Sequence, residues 1–310
     1  MKVVVTGGAG FIGANLCRIL ADRRNVTEVV AFDNLSTGYE SNLDQLRVEL
    51  VTGDIGDPDA LVDAFEGADA VVHLAARPSV PKSVEDPVAS HVTNTTGTLN
   101  VLEAVRATGG PHLVVASSSS VYGSNPTLPK SEDLPVAPMS PYAAQKLATE
   151  QYSLAHAHSY DLDVLAFRFF NVFGPLQPAG HAYAAVIPAF VSAALAGDPI
   201  PVHGDGLQSR DFTYVDSVAA VIADAIEHRI SSPTPVNLAF GSRATLLDVI
   251  AEIESVLGTQ LERSHQDPRV GDVRHSQADQ TRLRSLFPDL TPVEFTDGLR
   301  TTIQWWRDQV

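Results

Sequence analysis

Tyr142 and Lys146 stand four residues apart, and this pair can move a proton. That spacing stacks two side chains on one face of a helix. A tyrosine ordinarily ionises near pH ~10. A neighbouring ammonium favours its anion, so the phenol can act as a base near neutral pH. Alone, Tyr-x-x-x-Lys is weak, because surface helices carry such pairs by chance. A serine run, Ser117 to Ser120, lies about twenty residues upstream. Ser118 or Ser119 could hydrogen-bond a reacting hydroxyl and help its proton across, although four serines also suit a polar turn. No Gly-x-Ser-x-Gly elbow suggests a serine hydrolase. No cysteine cluster or spaced His-Glu helix motif suggests a metal site.

A second group of residues supplies what a proton-transfer pair lacks, a redox partner. Val3 to Val5 run into Gly7-Gly8-Ala9-Gly10-Phe11-Ile12-Gly13, and Ile12, Leu16, Ile19 and Leu20 follow at helical spacing. Strand, glycine turn and helix is the setting of a dinucleotide site. The glycines permit a tight turn, close approach of a pyrophosphate, and close packing of helix on strand. The N–H groups at the start of the helix then face the anion. Glu28 to Phe32 reads as a second strand ending at Asp33, twenty residues after Gly13. An acid there can bond an adenosine ribose and would repel a 2′-phosphate, so NAD is expected rather than NADP.

These residues need a scaffold, and the chain supplies strands alternating with helices. Strands are expected at 47–51, 70–74, 112–116 and 164–169, with helices at 59–66, 88–108 and from Ser140-Pro141 onward. Such alternation argues for a doubly wound parallel α/β sheet of Rossmann type with right-handed crossovers. Asp54, after the third strand, would meet an adenine amino group or act as a cap. His73 reads as a packed strand-end residue. Arg77 to Asp86 reads as a loop at the ligand edge, where Ser79, Lys82 and Ser83 could touch substrate or pyrophosphate, with solvated surface charge as the competitor for Lys82. Beyond residue 171 the texture changes. Helices are expected at 182–196, 217–228 and 246–257, strands at 201–203, 212–215 and 236–239, and a loop at 268–276. Trp305 and Trp306 read as packing anchors in a last helix.

Composition bounds the rest. The chain has 310 residues, is 44% hydrophobic and 19% charged, and so can build a full core of one or two domains. Its net charge of −16 disfavours nucleic acid and anionic membranes as partners. That charge suits a salt-adapted host or a plain acidic protein equally. The first residues read as a strand without a basic-apolar leader, and no apolar run reaches membrane-spanning length. The single cysteine, Cys17, sits in the first helix as a core residue. A cytoplasmic location is expected.

Taken together, the motifs resemble the extended short-chain dehydrogenase/reductase family, and within it the nucleotide-sugar 4-epimerases acting on UDP-glucose or its N-acetylhexosamine relatives. The resemblance is carried by Gly7 to Gly13, Asp33-Asn34-Leu35-Ser36-Thr37-Gly38, His73-Leu74-Ala75-Ala76, Ser117 to Gly123, Tyr142 to Lys146, Asn171-Val172-Phe173-Gly174-Pro175, Arg210-Asp211-Phe212 and Arg269-Val270-Gly271-Asp272. It implies an NAD-binding part over 1–170, with 206–240 contributing, and an interleaved nucleotide-sugar part over 171–310.

It also implies roles. NAD would lie against Gly7, Gly10, Phe11, Ile12 and Gly13. It would also lie against Asp33, Asn34, Ser36, Thr37 and Gly38, against Asp54 and Ile55, and against Leu74, Ala75, Ala76 and Asn94. Tyr142, assisted by Ser118, would take the proton of the sugar 4′-hydroxyl while a hydride passes to NAD⁺, and the 4-keto sugar would take it back on its other face. Lys146 would hold the nicotinamide ribose. Ser79, Lys82, Ser118 and Ser119 would line the sugar. Asn171, Arg210 and Arg269 would hold the diphosphate, and Asp272 the uridine ribose. Dehydratases of this family carry an Asp-Glu pair where Ser119 and Ser120 stand here, so dehydration lacks its acid and base. Ser276, seven residues after Arg269, is small where a bulky residue would exclude N-acetyl sugars. The alternatives are a UDP-glucuronate 4-epimerase, a 4-keto-sugar reductase, or a silent NAD-sensing protein. A homodimer through helices near 88–108 and 141–159 is implied as well.

Overall fold

Val3, Val4 and Val5 are fully buried, which a strand achieves only when both of its faces are covered. The computed structural model describes residues 1–179, 185–267 and 274–309. Its strands are β1 (Lys2–Thr6), β2 (Glu28–Asp33), β3 (Glu49–Thr52), β4 (Ala70–His73), β5 (His112–Ser118) and β6 (Val164–Phe169). There follow β7 (Asn171–Phe173), β8 (Ile200–His203), β9 (Ser209–Tyr214), β10 (Val236–Leu238), β11 (Arg243–Thr245) and β12 (Arg263–Gln266). The helices are α1 (Phe11–Ala21), α2 (Pro58–Phe65), α3 (Val80–Glu85), α4 (Pro87–His91), α5 (Gly97–Ala107) and α6 (Pro141–Tyr160). After them come α7 (Val186–Ala196), α8 (Val215–Glu227), α9 (Leu246–Leu257), α10 (Thr281–Leu286) and α11 (Phe295–Arg307).

Seven strands form one parallel sheet in the order β10-β6-β5-β4-β1-β2-β3. This is the doubly wound α/β fold expected from the alternation of elements. Side chains alternate across each strand, so Val3 and Val5 pack with α1 and α8 while Val4 packs with α2 and α5. Chain order reverses between β1 and β4. That reversal opens a crevice at the carboxyl ends of the strands, where such folds bind ligands. Cys17 is fully buried on the α1 side, and burial pushes its thiol up to about 12, so it behaves as a core residue.

A smaller layer covers the crevice from the side. β7 pairs in parallel with β9, β9 pairs antiparallel with β11, and β8 pairs with β12. Phe173, Phe212, Tyr214 and Phe295 form an aromatic cluster here, with Phe173 and Phe295 edge-on at 5.5 Å. Trp306 packs on this cluster's margin and lies edge-on to Trp305 at 5.4 Å.

The short elements β7, β11, β12 and α10 were not expected from the sequence, and two segments of the first half also differ. The stretch 77–86 is not a plain loop: Val80–Glu85 is helical, because Ser79 caps the Lys82 N–H at 3.3 Å and Pro81 occupies the first turn. The helical stretch 88–108 is interrupted by a π-turn at Val92–Thr96. There the Asn94 carbonyl accepts the hydroxyls of Thr98 at 2.7 Å and Thr149 at 3.0 Å. No helix among the described residues is long and apolar enough to cross a membrane.

Candidate active site

Gly7 opens the crevice. Its φ is +74°, and a Cβ there would lie 2.8 Å from the Ala75 nitrogen. A Cβ on Gly13 would lie 2.1 Å from the Gly7 carbonyl oxygen. Only glycine lets α1 start this close to the turn and to the end of β4. Gly10 caps α1 without a side-chain bond, so no side chain competes for the first-turn N–H groups ahead of Phe11, Ile12 and Gly13.

Asp33 ends β2 beside this turn. Its Oδ2 accepts the Ala9 N–H at 3.0 Å and its Oδ1 the Leu35 N–H at 2.8 Å. A carboxylate has about four acceptor positions, so two remain for ribose hydroxyls. The segment 33–38 wraps the glycine turn, and the Tyr39 N–H reaches the Ala9 carbonyl at 3.1 Å. Asn34 donates to Asp54 Oδ2 at 2.7 Å, and the Ser36 N–H donates to Asn34 at 3.0 Å. Ser36 and Thr37 are exposed on this rim, and Gly38 is buried. Ile55 buries its side chain against Gly97 while its carbonyl accepts from Asn100 at 3.0 Å. The glycine cradle and the open acceptors of Asp33 fit a dinucleotide.

Leu74, Ala75 and Ala76 lie half-buried at the end of β4. Behind them His73 is buried, with Nδ1 at 2.8 Å from Thr6 Oγ1 and Nε2 at 3.1 Å from Thr98 Oγ1. Thr98 donates its proton to the Asn94 carbonyl, so it accepts from His73 Nε2–H, and Nδ1 accepts from Thr6. Burial, aided by Lys146, lowers the imidazole to about 3. His73 is therefore a neutral strut. Asn94 is buried too: its Oδ1 accepts the Arg77 N–H at 2.7 Å and its Nδ2 donates to Gln145 at 2.9 Å.

The sheet and α6 bring Ser118, Tyr142 and Lys146 together. Ser140 caps α6 by accepting the Ala143 N–H at 3.1 Å, which fixes the first turn carrying Tyr142. Ser83, expected with Ser79 and Lys82 at the ligand edge, instead holds this same turn by accepting the Tyr142 N–H at 3.1 Å. The Ser118 hydroxyl lies near enough to the Tyr142 phenol to lower its pKa. Both lone pairs of Ser118 take donors from Ser120, at 3.1 Å from its N–H and 2.9 Å from its hydroxyl, so its own proton is the one available toward Tyr142. Lys146 Nζ donates to the Ala116 carbonyl at 2.8 Å. Burial raises the Tyr142 pKa while the Ser118 bond lowers it, and burial lowers Lys146 to about 8. Ser119 starts the short turn 119–122, half-buried.

Ser79 and Lys82 flank the head of α3. Ser79 has φ +143°, a rare conformation for a residue with a side chain, and Lys82 is exposed. On the smaller layer, Asn171 donates to the Asp211 carbonyl at 3.3 Å. Arg210 Nη1 donates to the Ser209 carbonyl at 2.9 Å and to the Arg274 carbonyl at 3.3 Å. The Ser276 N–H donates to the Ser209 carbonyl at 3.0 Å, which ties this position to β9. Arg269 and Asp272 lie outside the described residues. Arg243, which the sequence did not single out because β11 was not foreseen, donates to Ser209 Oγ at 2.8 Å. Desolvation, then Arg243, Arg274 and Arg210, hold the nearby His275 below its usual range. Arg274 is paired with Asp205 at 2.8 Å, and Arg210 and Arg243 add positive charge beside it on an acidic chain, which suits an anionic ligand.

Comparison with known proteins agrees with this geometry. The profile of the NAD dependent epimerase/dehydratase family matches residues 3–239. The UDP-glucose 4-epimerase of Mycolicibacterium smegmatis is 36% identical, over 100% of this chain and 99% of that protein. The structure of the UDP-N-acetylglucosamine 4-epimerase from Methanobrevibacter ruminantium, in complex with UDP-N-acetylmuramic acid, superposes with a TM-score of 0.94 at 38% identity, covering 100% and 99% of the two chains. The Thermus thermophilus UDP-glucose 4-epimerase complex with NAD gives a TM-score of 0.90 at 35% identity, covering 100% of each chain.

Proposed function

The chain belongs to the NAD dependent epimerase/dehydratase family, and we propose that it interconverts the C4 epimers of a UDP-hexose with Tyr142 as base and acid. The observation that carries this reading is the joining of Ser118, Tyr142 and Lys146 at the carboxyl edge of the sheet, with serines rather than acids at 119 and 120. Gly7, Gly13 and Asp33 would hold NAD, which supplies two-electron oxidation at the sugar C4 and its reversal. Tyr142 takes the proton of the 4-hydroxyl and later returns it. Ser118 donates to the oxygen in question and thereby supports its changing charge. Lys146 favours the phenolate and orients the ribose. Arg210, Arg243 and the residues 269–276 take the UDP end, and the small Ser276 leaves room for an N-acetyl group.

Incubation with UDP-Glc, UDP-GlcNAc and UDP-GlcA, followed by separation of C4 epimers, tests the proposal. A UDP-hexose should reach a mixture of epimers without added NAD and without net NADH consumption. Net consumption of NADH with a keto sugar would instead identify a reductase. Comparable kcat/KM for UDP-Glc and UDP-GlcNAc is expected, and no turnover of UDP-GlcNAc would exclude the dual specificity. The proposed setting is the cytoplasm. The proposed assembly is a dimer through the face carrying Val88, Val92, Tyr152 and Tyr160, four large apolar side chains that are all exposed.

A further inference from the structure

β5 meets α6 through three successive contacts. The Ala116 carbonyl accepts from Lys146 Nζ at 2.8 Å. Ser117 Oγ donates to Glu150 Oε2 at 2.9 Å and lies 3.4 Å from the Lys146 carbonyl. Ser118 reaches Tyr142. The helix partners Tyr142, Lys146 and Glu150 follow one another at intervals of four, so they stack on one face. Two of these contacts belong to the proposed chemistry. The third, at Glu150, has no part in it.

Glu150 is 0% exposed and Arg168 3% exposed. Arg168 Nε donates to Glu150 Oε2 and Nη2 to Oε1, both at 2.8 Å. A buried ion pair is a weak source of stability, because desolvation costs several kcal/mol per ion and well-packed apolar residues often do as well. Stability alone is therefore a poor reason for this pair. Its placement supplies another. Arg168 sits opposite Ser117 in the β5–β6 register, lies 4.8 Å over the Tyr122 ring, and donates to the Glu132 carbonyl at 3.3 Å. The guanidinium is thus fixed from below and fixes the carboxylate, which in turn holds the residue next to Ser118.

We propose that Glu150, held by Arg168, is a positioning residue for the proton-transfer pair: it sets the register of α6 on the end of β5, and the mutually neutralised pair leaves Lys146 as the net charge acting on Tyr142. This rests on the reading of Tyr142 as the base. The groups around Glu150 allow it. β6 contributes Arg168 and β5 contributes Ser117, while Lys146 lies on the same helix. Tyr122 and Glu132 flank Arg168 from the far side, and His73 of β4 is neutral beside Lys146. On α5, Glu103 is engaged by Arg106 and by His156 of α6. Lys82, Glu85, Asp86 and His91 of the α3–α4 segment are exposed to solvent.

The test is the pH profile of kcat for Glu150→Gln, Arg168→Gln and the double variant, with bound NAD and far-UV circular dichroism measured on each. Glu150→Gln leaves a cation unpaired and should move the acid-side inflection down by roughly one unit; Arg168→Gln leaves a carboxylate and should move it up. The double variant should bring the inflection back to the parent value while kcat stays reduced by ~10-fold at similar KM. Inflections that do not move, or that move the same way in both single variants, would overturn the proposal. If the single variants fail to fold, the charge-balanced double variant decides, and a parental kcat there would overturn it. Tyr142→Phe is measured alongside. Parental activity in Tyr142→Phe would remove the base assignment and this proposal with it, whereas an inactive Tyr142→Phe with an unmoved Glu150→Gln would remove this proposal alone.

Discussion

Tyr142 is under two opposed influences. Burial raises its pKa, and the Ser118 hydroxyl lowers it. Lys146 is under one, burial, which brings it down to about 8 while it remains bonded to the Ala116 carbonyl. Replacing Tyr142 by Phe keeps the ring and removes the proton carrier. We expect kcat to fall ~10²–10⁴-fold with bound NAD unchanged, as read by epimer separation and by NAD released on denaturation. Lys146→Met removes the local cation, so the phenolate is less favoured. The acid-side inflection of kcat should then move upward in pH, and a downward move would contradict the proposed role. That Tyr142 and Lys146 lie on one face of α6 was legible from their spacing. The choice of Ser118 over Ser119 was not legible from the residues and came only from the resemblance, because it depends on where β5 ends and the next turn begins. Ser83 stood in the 77–86 segment as a possible ligand contact, but its bond to the Tyr142 N–H was hidden, since it joins residues 59 apart.

At the scale of elements, the turn between β1 and α1 and the junction of β9 with the segment before α10 would carry the ligand-facing backbone of the proposed site. Gly13→Ala would place a methyl against the Gly7 carbonyl, which has no side-chain freedom to give way. A cost of about 1–3 kcal/mol and loss of co-purifying NAD are expected, measured by urea unfolding and by the absorbance of the released nucleotide. At the other junction, Asp211 is fully buried and accepts the Ala278 N–H at 3.0 Å while its carbonyl accepts from Asn171. Burial outweighs these bonds and raises its carboxyl from 3.8 to about 7. Between those two values the native chain keeps a proton that the unfolded chain has released. The stability this group contributes is therefore present in acid, is lost as pH rises toward about 7, and is constant above it. Relative to Asp211→Asn, the parent should lose on the order of a few kcal/mol from pH ~4 to ~7. Urea midpoints for both proteins across that range check this, and a constant difference would contradict it. The alternation of strands and helices made the parallel sheet readable, because apolar runs there answer to burial on both faces. β11 and α3 were not readable: each is short, β11 is fixed by partners far away in sequence, as Arg243 is by Ser209, and the Ser79 cap and Pro81 of α3 open fewer than two turns.

The whole molecule carries a charge of −16 and exposes Val88 at 73% and Val92 at 51% of their surface, one helical turn apart. In the proposed dimer two such chains would repel at long range and attract over this apolar face. Association should therefore strengthen with salt, since screening shortens the repulsion to about 10 Å at 0.1 M. Light scattering after size exclusion at low and moderate salt measures it. Val88→Glu should shift the population toward monomer while leaving the Tyr142 site folded; an unchanged dimer would place the interface elsewhere.

The glycine turn, Asp33, the spacing of Tyr142 and Lys146, and the apolar strands are local patterns, and local patterns determine a dinucleotide-type sheet and place Tyr142 and Lys146 on one helix face because backbone sterics and helical period act over a few residues. What the tertiary structure decided is which polar groups meet. It made His73 a neutral strut between Thr6 and Thr98, engaged Asn94 with Arg77 and Gln145, gathered Arg210, Arg243 and Arg274 around His275, and set the Glu150–Arg168 pair beneath Ser118 and Lys146. Each of these depends on burial and on partners from separate elements, and the energy of a buried polar group is fixed by those partners rather than by its neighbours in the chain.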